Sequence, residues 1–425
     1  MSGDKEQLTQ LDPSVDHLRN WTQIAIAFAV ALPAPVIRTL DIMGLVDLHL
    51  KPGVESLIFG VSILAAATML VWASEVAELL VSATLALAVL AIIAVLPEYA
   101  VDLYFAWGAP DDPEKAHFAL ANMTGANRLL IGLAWPVVFF LFWFKQRQKN
   151  LAVGKTNAVG LIFLAVATIY SFSIPLRGHL SLIDSGVLIS LFLVYLVLSS
   201  RSPAGEHELV GPAQTIAALS PKLRWAVVIG IFAYAAGVVF SAAEPFADGL
   251  VHSGEALGIE EFLLVQWLAP LASEAPEFIL AAMLALRGRA GAGMTLLISS
   301  KVNQWTLLVG SLPIAYSISG TTISPLDFDA RQSEEVFLTA AQSLFAVAVL
   351  TSLSFSSREA LLIFVLFAVQ LAIPVTEVRL GFGALYIVLA IRWFFVERRQ
   401  IPVLFRTAGQ VVAKGSKPGG KGPEH

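Results

Sequence analysis

Apolar runs about as long as a bilayer is thick recur along this chain from Trp21 to Val396, and they constrain its fold more than any other feature. A hydrocarbon core about 30 Å thick takes roughly 20 apolar residues per helical crossing. Read against charged and Pro/Gly-rich breaks, the runs predict helices near 21–40, 54–75, 79–107, 117–144, 156–175 and 182–199. Six more are predicted near 223–250, 260–286, 291–319, 336–355, 359–376 and 380–397. The runs are too long and too uniformly apolar for the alternating strands of a membrane barrel, so strands are not expected. With 57% hydrophobic and 14% charged residues, most of the chain is expected to lie in lipid, and no stretch between the runs could build a separate soluble domain.

The first twenty residues mix Asp4, Glu6, Asp12 and Asp16 with Lys5 and Arg19 and lack the basic start of a cleaved signal, so the first apolar segment is expected to be retained. The absence of cysteine excludes disulfides, thiolate metal sites and thiol nucleophiles. A net charge of -5 is too small to imply a nucleic-acid partner. Twelve crossings would put both termini on one side. That side would carry 18 of the 27 Lys and Arg residues, including Lys145, Arg147, Arg287, Arg289, Arg398 and Arg399, and the other side only six. The positive-inside rule then makes the termini cytoplasmic.

Two helix pairs carry the same punctuation. VLPEYAVDLYFAW precedes LANMTGANRLLIGLAWP, and EAPEFILAAMLAL precedes LLISSKVNQWTLLVGSLP. In each pair a Pro-Glu step, Pro97-Glu98 or Pro276-Glu277, interrupts the first helix, and a small or polar break interrupts the second. With the outermost helices set aside each half has five crossings, and an odd number forces the second half to enter the membrane inverted. Inverted repeats with broken helices build many secondary transporters, with the binding site near the midplane. Proline removes an N–H and crowds the carbonyl four residues back, so carbonyls around 93–97 and 272–276 are expected to be freed for cation binding. Such breaks are tolerated at membrane depth where they are buried in protein or line a wet cavity.

At these residues the chain resembles the calcium/cation antiporter superfamily of sodium/calcium and cation/proton exchangers. That family is marked by G-T-S-L-P-E in one helix and G-N-x-x-G-S-N in the next, in an inverted pair of repeats. The likeness spans roughly residues 54–376. It implies an all-α polytopic membrane protein with two inverted repeats of five transmembrane helices plus an extra helix at each end, about 12 crossings. The organisation would be an N-terminal cytoplasmic segment and extra helix (1–53), a first repeat (54–200), a cytoplasmic linker (201–222), a second repeat (223–376), an extra helix (377–397) and a basic cytoplasmic tail (398–425). Beyond Lys414 the Gly/Lys-rich tail is expected to be solvated and disordered, with a membrane-surface role as the alternative.

The resemblance implies that Glu98 and Glu277 are the two central carboxylates that bind a divalent ion. Asn122 and Asn127 match the asparagines of the second-helix motif, with Gly125 between them, and Ala126 replaces its serine. Ala94 and Val95 stand where the family has Thr-Ser. In the second repeat Ser273 keeps the threonine's hydroxyl, Glu274 replaces the serine, Ser300 keeps the later serine, Lys301 replaces an asparagine, and Gln304 stands where Asp or Asn is frequent. These departures fall on positions that would complete sodium sites.

A charge near the middle of a membrane helix costs about 2.5 to 3.5 kcal/mol on insertion scales, so a cluster of Glu98, Glu274, Glu277 and Lys301 calls for a use. One reading is a chamber where Glu98, Glu274, Glu277, Ser273, Ser300, Asn127 and Gln304 replace water around a hard cation, with Lys301 as a charge-compensating or coupling group. The other is a salt-bridge network that fixes helix packing. Asp102 extends the pathway or makes a satisfied polar contact. Arg128 neutralises a chamber carboxylate, snorkels or pairs elsewhere. Glu75, Glu78 and Glu244 line an entrance or sit at the interface, and His117 and His252 fall at helix ends.

No nucleotide-binding loop or nucleophile-base set stands out, so the chain reads as a gradient-driven transporter rather than an enzyme, with no cofactor. Its partners would be the lipid bilayer and inorganic cations. The leading function is a secondary-active antiporter that exchanges a cation, Ca2+ before others, for H+ or Na+ by alternating access. The alternatives are a carrier of another substrate on the same scaffold, and a non-transporting receptor or assembly protein.

Overall fold

The computed structural model describes residues 16–45, 51–77, 96–200, 209, 211–258, 260–373 and 375–415. In the first half, α1 (His17–Ala31), α2 (Pro33–Ile42) and α3 (Pro52–Ala77) are followed by α4 (Leu96–Gly108), α5 (Pro113–Leu129) and α6 (Trp135–Gln146). Strand β1 (Asn150–Ala152), α7 (Asn157–Ser171), α8 (Ser173–Arg177), β2 (His179–Leu180) and α9 (Leu182–Ser199) complete it. The second half contains α10 (Pro212–Ala217), α11 (Pro221–Leu257), α12 (Glu261–Leu286), α13 (Ala290–Asn303), α14 (Val309–Ser319), β3 (Leu326–Asp327) and α15 (Ala330–Leu350). It closes with β4 (Ser354–Ser356), α16 (Ser357–Ala372), α17 (Thr376–Val396) and α18 (Gln400–Gly415).

Among the described residues eight helices are long and apolar enough to cross a bilayer, or nine if the bent α12 is one span. The expectation of about twelve is not reached on that measure. The first half of the 79–107 span lies outside the described residues, and α16 has 16 residues, short of the roughly 20 of an upright crossing.

Contacts divide the chain into two compact units: Met1–Val101 with Ala204–Leu264 and Leu271–Pro276, and Asp102–Pro203 with Val265–Pro270 and Glu277–His425. In the first unit α3 and α11 pair along their lengths. Small residues allow the approach, as membrane helices without a hydrophobic driving force between them require. A Cβ on Gly60 would stand 2.8 Å from the Phe246 ring, and one on Gly249 2.6 Å from Ser56 Oγ. Asn20 Nδ2 donates to Thr215 Oγ1 at 2.8 Å, tying α1 to α10, and Phe28 stacks on Tyr234 with centroids 4.5 Å apart.

The second unit holds the rest of both repeats. Helix starts are set by side chains that occupy the free N–H groups: Asp112 accepts from Glu114 N at 3.1 Å before Pro113 opens α5, and capping boxes at Ser181/Asp184, Asp329/Gln332 and Ser356/Glu359 open α9, α15 and α16. Contrary to the expectation of no strands, two short antiparallel ladders form. Leu151 pairs with Phe355 in β1–β4, and Leu180 with Leu326 in β2–β3. They lie in loops, where apolar length says nothing about backbone pairing, and each ladder joins a loop of the first repeat to one of the second.

Residues 400–415, placed in the tail from the sequence, form α18, which rests on α7. Leu404, Ala408 and Val411 are its buried residues, and their i, i+4, i+7 spacing is the helical signal that the surrounding basic residues mask.

Candidate cation site

Glu98 is carried by α4. Pro97 precedes it directly, and Glu98 is buried. Ala94 and Val95 lie outside the described residues. One turn further, Asp102 is 0% exposed and accepts a hydrogen bond from Asn122 Nδ2 of α5 at 2.9 Å.

The second Pro-Glu step bends α12: segments Glu261–Ala275 and Glu277–Leu286 meet at 56°, as a proline inside a helix dictates. Ser273 and Glu274 are buried before the bend, while Glu277 after it is half-buried with Oε2 shielded from solvent. Glu98, Ser273 and Glu274 belong to the first unit; Glu277, Asn127, Ser300, Lys301 and Gln304 belong to the second.

Within the second unit the polar breaks of α5 and α13 take the same form. Three residues after Asn127 the chain enters a π-helical turn at Leu130–Ala134, and three residues after Lys301 it enters another at Gln304–Leu308. A π turn shifts the hydrogen-bond register and re-aims neighbouring side chains, and such turns concentrate at functional sites. The two motif positions meet directly. Lys301 Nζ donates to Asn127 Oδ1 at 2.5 Å and reaches Asn127 O at 3.3 Å, while Asn127 Nδ2 donates to Met123 O at 2.8 Å and so turns its oxygen toward the ammonium. Lys301 is 0% exposed, and its Nζ stands 4.6 Å from the centroid of the Trp305 ring, a cation–π contact.

Ser300 hydrogen-bonds the Glu277 carboxylate and receives Gln304 Nε2 at 3.5 Å. Five of the eight residues singled out from the sequence therefore form a polar set threaded on α13. Among the described residues, no three His, Cys, Asp or Glu side chains gather into a metal-sized cluster.

Close backbone approach holds α5 and α13 against α12. A Cβ on Gly125 would fall 1.7 Å from Gln266 O, and one on Gly293 would fall 2.8 Å from Ala281 O. Thr124 Oγ1 also receives Gln266 Nε2 at 3.4 Å.

Arg128, a candidate to neutralise a chamber carboxylate, is committed elsewhere. Its Nη2 lies 2.6 Å from Glu335 Oε2 of α15, and its guanidinium 4.9 Å from the Trp267 ring centroid. Arg379 of α17 joins the pair, with Nε 3.7 Å from Glu335 Oε1 and Nη2 3.2 Å from Glu334 Oε2. Arg331 also interacts electrostatically with Glu334, Glu335 and Arg379, so the two glutamates are shared among three arginines. Glu334, Glu335 and Arg379 were missed from the sequence because residues this far apart, 45 positions for Glu334 and Arg379, give no signal of pairing. Trp305 could have been found: it lies four residues after Lys301, on the same helical face. His117 Nδ1 lies 4.0 Å from Asp329 Oδ2, and Glu244 pairs with Arg38.

The family pattern described as sodium/calcium exchanger protein matches residues 54–201 and 227–376, one stretch on each half. The chain belongs to this family. It is 41% identical to a solved structure described as the H+/Ca2+ exchanger CAX, with a TM-score of 0.89 over 94% of this chain and 100% of that one. More distant structures share the fold: native YfkE at 16% identity and TM-score 0.59 over 85% of this chain and 99% of that one, and the sodium-calcium exchanger NCX_Mj at 19% and 0.50 over 76% and 98%. A search of curated proteins returns no match. This family member is thus a multi-pass, almost entirely helical membrane protein of the calcium/cation antiporter superfamily.

Proposed function

We propose that the chain is a secondary-active antiporter that exchanges Ca2+ for H+ by alternating access. Glu98 and Glu277 are its central ligands near the membrane midplane, with Ser273, Glu274, Asn127, Ser300 and Gln304 supplying further oxygens. Ca2+ takes six to eight oxygens, more than two carboxylates provide, so hydroxyls, amides and carbonyls freed at the proline breaks complete the shell. A buried carboxylate is neutralised either by a proton or by a cation. Ca2+ entry therefore displaces protons to the side from which it came, and protons from the opposite side replace it after release.

The observation that carries protons over sodium is the placement of Lys301. Its ammonium donates to Asn127 at 2.5 Å, so the second repeat contributes a fixed positive charge where a sodium-coupled site would need a neutral oxygen. The 41% identity to an H+/Ca2+ exchanger over nearly the whole chain supports the same reading. In proteoliposomes, an outward proton gradient is expected to drive saturable Ca2+ uptake without sodium. Uptake that follows a sodium gradient and ignores pH would move the reading to sodium coupling. Flux only with another solute, or no flux under any gradient, would reject Ca2+ antiport.

A further inference from the structure

Asp102 lies four residues after Glu98 on α4 and has no place among the cation ligands. It is 0% exposed, and Asn122, its hydrogen-bond partner, is also 0% exposed. Asn122 Nδ2 donates to Asp102 Oδ1 at 2.9 Å. Among the described residues, Asp102 Oδ2 and Asn122 Oδ1 are both buried and neither has a hydrogen-bond partner. Both atoms are acceptors if the acid is ionised. A fully buried acceptor without a donor costs about 1 to 3 kcal/mol, and more when it carries charge.

The charged groups nearby are engaged elsewhere. On α4, Tyr104 Oη accepts from Lys115 Nζ of α5 at 3.0 Å, and Glu98 is buried one turn before Asp102. On α5, His117 Nδ1 lies 4.0 Å from Asp329, Arg128 pairs with Glu335 at 2.6 Å, and Glu114 lies in the first turn, two turns before Asn122. Among the described residues the single hydrogen bond to Asp102 is the one from Asn122. Among the described residues, neither a cation nor a second donor is thus in place to stabilise an ionised Asp102.

We propose that Asp102 is a proton-binding residue of the exchange cycle, loaded with a proton on Oδ2 in this conformation and distinct from the carboxylates that hold the cation. One proton resolves both unsatisfied atoms: Oδ2 becomes a donor, and Asn122 Oδ1, on the amide whose N–H already reaches Asp102, becomes its acceptor. The result is a neutral acid–amide pair, which suits a membrane interior where an ionised carboxylate is expensive. When the pathway along α4 admits water, the O–H bond of Asp102 breaks heterolytically, the proton passes to water, and the carboxylate keeps the Asn122 N–H on Oδ1. The reverse step reloads it from the other side. This role rests on the proton-exchange reading above, while the protonation state itself does not.

The test is infrared difference spectroscopy on the reconstituted full chain, together with a count of protons released per Ca2+ bound. The buried-acid C=O region of wild type is expected to contain a band of Asp102 separate from those of Glu98 and Glu277, and Ca2+ is expected to diminish it. Asp102→Asn, which can keep an amide–amide pair with Asn122, is expected to lose that band, retain Ca2+ binding within about threefold and release fewer protons per Ca2+. Asn122→Ala keeps the acid and weakens its hydrogen bond, so the band is expected to move to higher frequency. The proposal is overturned if Asp102→Asn leaves the band intact, or if proton release per Ca2+ is unchanged in that variant. A wild-type protein that neither binds Ca2+ nor releases protons overturns the exchange reading instead, and the cycle role of Asp102 falls with it; loss of the band in Asp102→Asn would still locate the proton.

Discussion

The two motif helices of the second unit carry an amide and an ammonium at the same place before matching π turns. α5 carries Asn127 three residues before a π turn, and α13 carries Lys301 three residues before another. Each is drawn against α12 through a glycine, Gly125 or Gly293. The backbone has kept the duplication, while the side chains at the equivalent positions have become a donor and an acceptor for each other at 2.5 Å. Symmetric chain geometry thus sets the frame, and an asymmetric pair decides what charge the frame contains. That division is open to experiment.

If Glu98 and Glu277 are the symmetric part, neutralising either should be equally damaging. Glu98→Gln and Glu277→Gln are each expected to remove about 3 kcal/mol of charge-assisted ligation, roughly a hundredfold in Ca2+ affinity, and to reduce exchange to background in proteoliposomes. A variant of either that keeps more than a tenth of the flux would break the equivalence of the repeats.

The glycines test the backbone frame itself. Gly125→Ala places a methyl 1.7 Å from a carbonyl oxygen of α12, whereas Gly293→Ala places it 2.8 Å from one. Overpacking of buried sites costs about 1 to 3 kcal/mol, and Gly125→Ala should lie at or above the top of that range and Gly293→Ala near the bottom. Thermal unfolding in detergent measures both, and equal shifts would contradict the closer approach of α5.

Lys301→Asn makes the two motif positions identical. Two amides can still hydrogen-bond, so folding should survive with a loss of about 1 kcal/mol, while Ca2+ flux should lose proton coupling and gain sensitivity to sodium. Unchanged flux, pH response and sodium response in a well-folded variant would show that the ammonium serves only to hold two helices together. Asn127→Ala sharpens the contrast. It removes the acceptor and leaves the ammonium buried, so it should destabilise more than Lys301→Asn does, by about 1 to 3 kcal/mol.

The smallest effect is a graded one. A proton and Ca2+ compete for the same carboxylates, so affinity rises with pH, by up to about tenfold per unit for each proton displaced. An isothermal Ca2+ titration at acid, neutral and alkaline pH measures the slope, and a flat profile would return attention to sodium.

Much of this was legible in the sequence because membrane burial leaves a plain record. The apolar runs had to be helices, since lipid offers the backbone no hydrogen-bond partner. The Pro276-Glu277 step marked the bend in α12, and the polar breaks after Asn127 and Ser300 marked where α5 and α13 change their winding. The loop ladders β1–β4 and β2–β3 were invisible, because backbone pairing across repeats leaves no periodic trace. So were the partners of Arg128: an arginine's position reveals that a counter-charge is needed, and Glu335 supplies it from more than 200 residues away.

By itself, then, the amino-acid order determined a helical membrane protein made of an inverted duplication, and it singled out the acidic residues beside the proline breaks, because hydrophobic length and proline chemistry are local properties. Tertiary structure decided that Lys301 points to Asn127, that Ser300 links Glu277 to Gln304, and that Asp102 is closed off with Asn122. Those are matters of which buried polar group lies within about 3 Å of which other. In a medium without water every such group must find its partner inside the protein, and only the packed helices determine which partners come within reach.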